Sequence, residues 1–415
     1  MREGYLLLED GRRFDGMVSG GALSDVPPAD DAPGIGEVVF QTGMTGYQEV
    51  VTDPSYRGQI VAFTASHIGN VGVNRYDSEA CTPALAGMVV RSLCGEPSSW
   101  RSKESFPAYL ARTGVPCLSE VDTRALTRHI REGGALRGVL VGAEVPEDVA
   151  LRRVRMFPGL LGRDLVAEVI PAESDGDWRG WKYAGLDADD PALVADELAM
   201  EFPAAGWFAR VHGGAEAGDE RTRVQPGPRV TLIHCGMKEG IDAGLRRRGA
   251  RVRIVRPDVT RDELLRGDPD LVFLSNGPGD PDALGGLIDT VRGAVGRVPI
   301  LGICLGFQVL ALALGARTYK MNHGHHGINH PVLDKRTGRV LVTSQNHGFA
   351  VDGDSLTAAC PDAVSTHVSL NDGTCEGFAV PSKRIRAVQF HPEARGGPHD
   401  ARSFFRNEEP GEMSV

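Results

Sequence analysis

In the first part of the chain, the spacing of apolar residues alternates between the two-residue period of strands and the 3.6-residue period of helices. This pattern is typical of a fold that contains both. Residues 5–14 hold two apolar segments on either side of Asp10-Gly11, a pattern that predicts a β-hairpin. A helix is predicted over residues 122–131, with Asp122 as its N-cap and an apolar stripe at Leu126 and Ile130. Further strands are predicted at residues 38–40, 60–63 and 87–90.

From residue 230 the pattern becomes a regular alternation of apolar strand-like runs and helical periods. The strand-like runs are residues 230–233, 251–255, 271–275 and 298–303. The helical segments are residues 238–248, 260–266 and 284–295. This alternation predicts a mostly parallel sheet with helices on both faces and ligands at the carboxyl ends of the strands. Beyond residue 316 we expect shorter strands, such as 340–343 and 386–390.

These patterns predict an α/β fold with two domains. The first domain is expected at residues 1–172 and the second at 229–405, followed by a tail at 406–415. Residues 173–228 are dominated by Asp, Glu, Gly, Ala and Pro, which predicts a partly disordered linker with a short helix near 191–200.

Composition narrows the possible functions. The 415-residue chain is 41% hydrophobic and carries a net charge of −10, and no long basic run appears. The cluster Arg246-Arg247-Arg248 is interpreted as the solvated face of one helix, so binding to nucleic acid or to a membrane surface is not expected. No apolar stretch reaches the roughly 20 residues that a membrane span needs. Seven scattered cysteines without a CxxC pair indicate a reducing cytoplasm.

One cysteine stands where a nucleophile would stand. Residues 299–308 read Pro-Ile-Leu-Gly-Ile-Cys-Leu-Gly-Phe-Gln and lead into a helix-forming run at 309–314. Strand, sharp turn and helix in this order predict a nucleophile elbow at Cys304, where the helix N-terminus favours a thiolate. The alternative is that Cys304 is a small buried core residue, and the motif alone does not decide between the two.

A second segment supports the elbow. His391 and Glu393 flank Pro392 at the end of another predicted strand, and a period of two places both side chains on one side. Cys304, His391 and Glu393 thus match the nucleophile, base and orienting carboxylate of acyl transfer. Without the cysteine, this pair would be interpreted as a solvated strand end.

A glycine-rich loop follows the strand before the elbow. The amides of Gly277-Pro278-Gly279 could form an oxyanion hole together with the Leu305 N–H. Taken alone, the loop would be interpreted as an ordinary turn, because Gly and Pro punctuate loops.

Four histidines between residues 323 and 330 raise the question of a zinc site. Nearby candidate ligands are sparse and glycines interrupt the run, so we expect no metal. A loop whose imidazoles bond to backbone near the crevice is expected instead, and His67 and His129 are expected to be structural.

Longer motifs carry a family resemblance. Residues 275–281, 302–308 and 391–393 resemble the class I (triad) glutamine amidotransferases. Several more segments resemble the small subunit of carbamoyl-phosphate synthase, namely residues 45–49, 52–56, 67–72, 122–124, 157–160, 324–331, 345–351 and 392–400.

The resemblance implies a flavodoxin-like second domain in which Cys304 forms a glutamyl thioester, His391 acts as base and then acid, and Glu393 orients His391. Glutamine would be held by Ser55, Gly277, Gly279, Leu305, Gln308, Asn346, Gly348 and Phe349. No cofactor is implied in this chain. Its partner would be a large subunit, in a heterodimer or a higher oligomer, that receives ammonia and uses ATP, Mg and bicarbonate for arginine or pyrimidine biosynthesis.

Four departures leave alternatives open. Phe307 stands where the family usually has histidine, and His234-Cys235 replaces an aspartate-containing pattern. The linker is long and the tail is short. A paralogous glutaminase subunit of a specialised pathway, a non-catalytic glutamine-binding or regulatory subunit, and a free-standing hydrolase of γ-glutamyl compounds therefore stay as alternatives.

Overall fold

A computed structural model describes residues 1–23, 33–170, 227–246 and 249–405. The predicted helix near 191–200, nearly all of the predicted linker and the predicted tail lie outside these described residues.

A closed barrel forms the first part of the chain. Within residues 1–23 and 33–170, seven strands close in the order β1-β2-β6-β5-β4-β3-β7. Their bounds are β1 Arg2–Leu8, β2 Arg13–Gly20, β3 Ile35–Gln41, β4 Gln59–Phe63, β5 Gly87–Val89, β6 Pro116–Ser119 and β7 Arg137–Gly142. The predicted hairpin is confirmed, because β1 and β2 pair antiparallel with Leu7 opposite Arg13.

Five helices accompany the barrel in this described part. They are α1 Tyr47–Thr52, α2 Phe106–Thr113, α3 Thr123–Gly133, α4 Glu147–Met156 and α5 Val166–Val169. Helix α3 begins as predicted, since the Asp122 carboxylate accepts a hydrogen bond from the Ala125 amide at 3.0 Å. Its stripe residues Leu126 and Ile130 are fully buried in the barrel core.

An open sheet forms the second part. Within residues 227–246 and 249–405, nine strands lie in the order β13-β12-β14-β15-β16-β11-β10-β8-β9. Their bounds are β8 Arg229–Ile233, β9 Arg251–Val255, β10 Leu271–Leu274, β11 Ile300–Ile303, β12 Thr318–Asp334, β13 Arg339–Val351, β14 Val364–Ser369, β15 Cys375–Val380 and β16 Ile385–Val388. The strands β16, β11, β10, β8 and β9 are parallel neighbours, and β15, β14, β12 and β13 extend the sheet in antiparallel fashion.

Helices alternate with the parallel strands, as predicted, and the α/β fold class is confirmed. In the same described part they are α6 Glu239–Arg246, α7 Arg261–Leu264, α8 Gly285–Ala294, α9 Leu305–Ala313 and α10 Gly353–Ala359. The three helices predicted between residues 238 and 295 are one or two residues shorter at each end than the apolar pattern predicts, because helix ends fray. Helix α9 is the exception and begins four residues before the predicted run at 309–314.

Two predictions for the region after residue 316 are wrong. Strands β12 and β13 contain 17 and 13 residues, so the strands do not become shorter. The histidine run lies on β12 and not in a loop, because it pairs with β13 across two register shifts. Its imidazoles also bond to side chains, since His325 contacts Asp372 at 2.9 Å and His326 contacts Asn346 at 3.0 Å.

The two sheets share buried contacts. Val166 and Ile170, which follow the barrel in sequence, pack into the hydrophobic core beneath the open sheet. Lys320 on β12 forms an ion pair with the buried Glu37 on β3. No helix in the described residues is both long enough and apolar enough to cross a bilayer.

Candidate active site

Cys304 occupies a strained turn between β11 and α9. Its backbone angles are φ 53° and ψ −106°, which a residue with a side chain rarely adopts. The turn depends on flanking glycines, because a Cβ at Gly306 would lie 2.4 Å from the Leu274 carbonyl oxygen. Strand, strained residue and helix therefore form the predicted elbow geometry, with Cys304 directly before the first residue of a helix.

His391 and Glu393 meet beside the strand β16. His391 Nδ1 lies 2.6 Å from Glu393 Oε1, and both side chains are buried. The carboxylate therefore accepts the Nδ1 proton and leaves Nε2 as the nitrogen available for proton transfer. This Nε2 is buried and has no hydrogen-bond partner among the described residues.

The charges around His391 favour its protonated form. Burial and the nearby Lys238 ammonium oppose a charge on the imidazole. Glu393 and Cys304 outweigh these two effects and raise the pKa of His391. Burial likewise opposes the charge of Glu393, but His391 and Lys238 lower the pKa of this carboxyl. Since Cys304 acts on His391, the predicted nucleophile and base lie within electrostatic reach of each other.

Most residues predicted to hold glutamine line one cavity. The cavity lies between the barrel and the open sheet and reaches Cys304. The predicted residues along its wall are Ser55, Gly277, Gly279, Gln308, Asn346, Gly348 and Phe349. Leu305 adjoins it as the first residue of α9, whereas His391 and Glu393 lie buried outside the lining.

Backbone amides are available next to the sulfur. The Leu305 amide is at the first position of α9, where no carbonyl four residues earlier in the helix can accept from it. Gly277 approaches closely enough that a Cβ there would lie 2.0 Å from the Cys235 carbonyl oxygen. Backbone packing against Cys235 therefore requires glycine at this position.

Side-chain amides fix the cavity wall. Gln308 donates through Nε2 to the Phe349 carbonyl at 2.8 Å and contacts Gln389 at 2.9 Å. The Cys304 thiol lies 3.6 Å from the Asn346 carbonyl oxygen. The segment of β13 that contains Asn346 and Phe349 is thereby held against the elbow.

Sequence reasoning missed a buried ion group behind the triad. Lys238 Nζ lies 3.4 Å from Asp53 Oδ2 and 3.6 Å from Glu393 Oε1, and all three side chains are buried. Burial opposes the charge of Lys238, but Asp53, Glu393 and Glu79 outweigh it and raise its pKa. The barrel residue Asp53 also accepts from Asn346 Nδ2 at 2.9 Å.

A second contact from the barrel reaches the glycine loop. Ser55 Oγ accepts from Asn276 Nδ2 at 2.9 Å, and both residues are buried.

The sequence contained only weak indications of the missed residues Asp53 and Lys238. Asp53 lies in a turn with Pro54, and Lys238 precedes a helix, where neither residue type is unusual.

Two sequence departures have a structural explanation. Phe307 is fully buried in the core under the sheet and packs on Phe378 with ring centroids 5.2 Å apart. His234 accepts through Nδ1 from the amides of Gly236 at 3.1 Å and Met237 at 3.3 Å. An aspartate could accept the same turn amides, so neutral His234 performs the corresponding capping function.

Comparison with known proteins agrees with these observations. Residues 6–140 match the model described as "Carbamoyl-phosphate synthase small chain, CPSase domain", and residues 231–408 match "Glutamine amidotransferase class-I". The chain is 41% identical over 400 residues to the carbamoyl phosphate synthase small chain of Solidesulfovibrio magneticus, covering 96% of each chain. It is 42% identical to that of Rhodopirellula baltica and 43% identical to that of Thioalkalivibrio sulfidiphilus, in each case over 96% of this chain and 94% of the relative.

The cysteine elbow on a parallel sheet and the matching second part of the chain define a class I glutamine amidotransferase, the glutamine-hydrolysing subunit of an enzyme. The similarity continues through the barrel and over nearly the whole length of the relatives. The chain belongs to the carbamoyl phosphate synthase small chain family.

Proposed function

We propose that this chain hydrolyses glutamine through a thioester at Cys304 and supplies the released ammonia to a large synthase subunit. The observation that carries the proposal is the pairing of a strained cysteine elbow with the buried His391–Glu393 contact of 2.6 Å. A strained cysteine at a helix N-terminus and a buried imidazole oriented by a carboxylate are the groups that nucleophilic acyl transfer requires.

The first half of the reaction forms the thioester. The Cys304 thiolate attacks the side-chain carbonyl carbon of glutamine, and the amides of Leu305 and the Gly277 loop stabilise the oxygen that becomes negative. Imidazolium His391 donates its Nε2 proton to the departing nitrogen, so the carbon–nitrogen bond breaks and ammonia leaves. Glu393 holds the ring in position for this transfer.

The second half returns the enzyme to its starting state. His391, now neutral, accepts a proton from water as the water oxygen attacks the thioester carbon. The carbon–sulfur bond breaks, glutamate leaves and Cys304 is again a thiolate beside imidazolium His391. The cavity at Cys304 measures about 30 Å³, space for only a few water molecules.

The proposed function also includes a partner chain and a cellular location. The relatives are named small chains, and we propose a large-chain partner that takes ammonia and uses bicarbonate, ATP and Mg. We propose that the chain itself needs no cofactor for glutamine hydrolysis and acts in the cytoplasm. A division into domains at residues 1–172 and 229–405 is also part of the proposal.

The decisive experiment reconstitutes the chain with a large synthase subunit and compares two nitrogen sources. Cys304→Ala should abolish glutamine-dependent carbamoyl phosphate formation and leave ammonia-dependent formation intact. The control Cys81→Ala alters an exposed cysteine and should leave both activities unchanged.

Unchanged use of glutamine by Cys304→Ala would contradict the assignment of the nucleophile. Full turnover of γ-glutamyl compounds by the wild-type chain, with no response to a large subunit, would instead favour a free-standing hydrolase.

A further inference from the structure

A second buried cluster lies beside the cavity and is not used by the proposed reaction. It comprises His325 on β12, His347 on β13 and Glu376 on β15, all of them buried. His325 and His347 are cross-strand partners, and their ring centroids are 4.9 Å apart. The histidine run in β12 alone offers no complete ligand set, since two of these three residues come from other strands.

The three side chains point one acceptor atom each into the same space. His325 Nδ1, His347 Nε2 and a Glu376 carboxylate oxygen lie within 4.8 Å of one another. His325 Nδ1 is 3.3 Å and His347 Nε2 is 3.8 Å from Glu376 Oε1. None of these three buried atoms has a hydrogen-bond partner outside the cluster among the described residues.

Each histidine of the cluster has a second ring nitrogen that faces away from Glu376. The contact of that second nitrogen influences which ring nitrogen carries the proton. His325 Nε2 lies 2.9 Å from the Asp372 carboxylate, and His347 Nδ1 lies 2.8 Å from the Phe349 carbonyl oxygen. The Phe349 carbonyl requires the proton on His347 Nδ1, which leaves a lone pair on His347 Nε2. A neutral His325 that donates to Asp372 likewise has its lone pair on Nδ1. Burial opposes a charge on His325, but Glu376 and Asp372 outweigh it and raise its pKa, so a proton competes with a metal ion for Nδ1. Metal-binding histidines characteristically donate their other ring N–H to a carboxylate or a carbonyl in this way.

Glu376 is oriented in the same manner. Its Oε2 accepts from Gln345 Nε2 at 2.8 Å, so Oε1 is the oxygen that remains directed at the two imidazoles. Two lone pairs and a carboxylate oxygen facing each other in a buried space repel one another unless a metal cation lies between them or one imidazole is protonated.

The spacing identifies the kind of cation. Zinc binds imidazole nitrogen and carboxylate oxygen at about 2.0–2.2 Å in a tetrahedron, which separates neighbouring ligand atoms by about 3.3 Å. The separation of 3.3 Å between His325 and Glu376 already has this value, whereas His347 lies 3.8 Å from Glu376 and the three ligand atoms lie within 4.8 Å of one another, so His347 must move closer. We propose that His325, His347 and Glu376 form a binding site for a single Zn²⁺ ion, with water as the fourth ligand.

Such an ion would join three strands at the cavity wall. His347 lies between Asn346 and Gly348, which line the cavity together with it. The ion would therefore fix the part of β13 that borders the proposed glutamine site, and it has no assigned part in the chemistry at Cys304.

The test measures metal content in the full-length chain prepared without a polyhistidine tag. The protein is incubated with excess Zn²⁺, freed of unbound ion by gel filtration and analysed by mass spectrometry for zinc per chain. We expect one zinc ion per wild-type chain and loss of this ion in Glu376→Gln and in His325→Asn. The controls Glu144→Gln and His67→Asn alter exposed residues and should retain it.

A second measurement covers the case in which a variant fails to fold. Co²⁺ loaded into the wild-type chain should give the visible absorption of a tetrahedral site, and zinc should raise the thermal midpoint of chelator-treated protein. Wild-type protein that retains no more zinc than Glu376→Gln, and whose midpoint does not respond to zinc, would overturn the proposal. In that case a protonated imidazole, and not a metal ion, would balance the charge of Glu376 in the cluster.

Discussion

The barrel and the open sheet place their strand ends in different environments. In the barrel every strand is paired on both sides, and the interior is filled with side chains such as Leu118 and Leu140. In the open sheet the carboxyl end of β11 leads into the elbow at Cys304. This agrees with the general placement of ligand sites outside the carboxyl ends of parallel strands.

The difference shows how packing and chemistry are divided between the two parts. The strained Cys304 and the buried polar side chains of His391 and Glu393 lie at the elbow, whereas the hydrophobic cluster inside the barrel is apolar. One group of residues crosses this division, since Asp53 from the barrel contacts Lys238, which in turn contacts Glu393. The barrel therefore contributes charge to the site as well as support.

The substitution Lys238→Met should have the largest effect, because Lys238 connects the barrel residue Asp53 to Glu393 at the site. It leaves the buried Asp53 carboxylate without its ion-pair partner and leaves Glu393 with His391 alone, and breaking a buried ion pair costs about 3–5 kcal/mol. We expect the free energy of unfolding to fall by this order and glutamine hydrolysis to fall as well, as measured by urea denaturation and a glutaminase assay.

The matched control for this change is Lys335→Met, at an exposed lysine. The double variant Asp53→Asn/Lys238→Met should lose less stability than the sum of its single variants, because removing both charges leaves fewer of them unpaired. Strict additivity of the two single variants would show that the Asp53–Lys238 contact is not energetically coupled.

The substitution Leu118→Ala tests whether packing in the barrel core affects stability alone or also the reaction at the site. Leu118 is fully buried on β6, and truncating a core leucine costs about 2–5 kcal/mol. Thermal unfolding should shift downward, while kcat for glutamine per folded molecule stays unchanged. Leu161→Ala, at an exposed leucine, is the control that should leave stability unchanged. A selective loss of kcat in Leu118→Ala would mean that barrel packing governs the site.

A pH experiment tests the contact region between the two parts. Burial and the neighbouring Asp77 raise the pKa of Glu49 from 4.5 to about 8. The folded chain therefore holds this proton more tightly than the unfolded chain, and this contribution to stability is lost as pH rises from about 4.5 to about 8. Glu49→Gln does not titrate, so its free energy of unfolding should depend less on pH over this range.

Urea denaturation at several pH values measures this slope. Glu144→Gln, at an exposed carboxylate, serves as the control and should reproduce the wild-type dependence. Parallel curves for wild type and Glu49→Gln would refute a raised pKa for Glu49.

The smallest effect on stability and activity is expected for the substitution Phe307→Leu in helix α9. Phe307 faces the core and Cys304 faces the cavity, although they are three residues apart. Phe307→Leu should reduce stability by only about 1 kcal/mol, as hydrophobic replacements of similar size do. Its kcat/KM for glutamine should equal that of the wild type, and a large loss in a steady-state assay would connect this core position to the reaction.

The sequence predicts the elements with strong periodicity and the turn chemistry around Cys304. The alternation of strands and helices from residue 230 predicts the parallel sheet, and the glycines at 302 and 306 predict the elbow. Local patterns failed where contacts are distant in sequence. The run at 322–330 resembled a loop because glycines interrupt it, whereas pairing with β13 makes it a strand.

Long-range charge pairing could not be predicted for the same reason. Lys238, Asp53 and Glu393 come from three distant segments, and nothing in the neighbourhood of any one of them indicates the other two. Glu376 likewise lies fifty-one residues after His325 in sequence, although their side chains are 3.3 Å apart.

The central claim is that Cys304 is the nucleophile that His391 and Glu393 serve. The most direct test treats the full chain with an electrophilic glutamine analogue, a diazoketone or a chloroketone, and locates the adduct by peptide mass spectrometry. We predict a single adduct on the peptide that carries Cys304, blocked by excess glutamine and strongly slowed in His391→Asn. An unlabelled Cys304 in folded wild-type protein without glutamine, or labelling that excess glutamine does not block, would contradict this account.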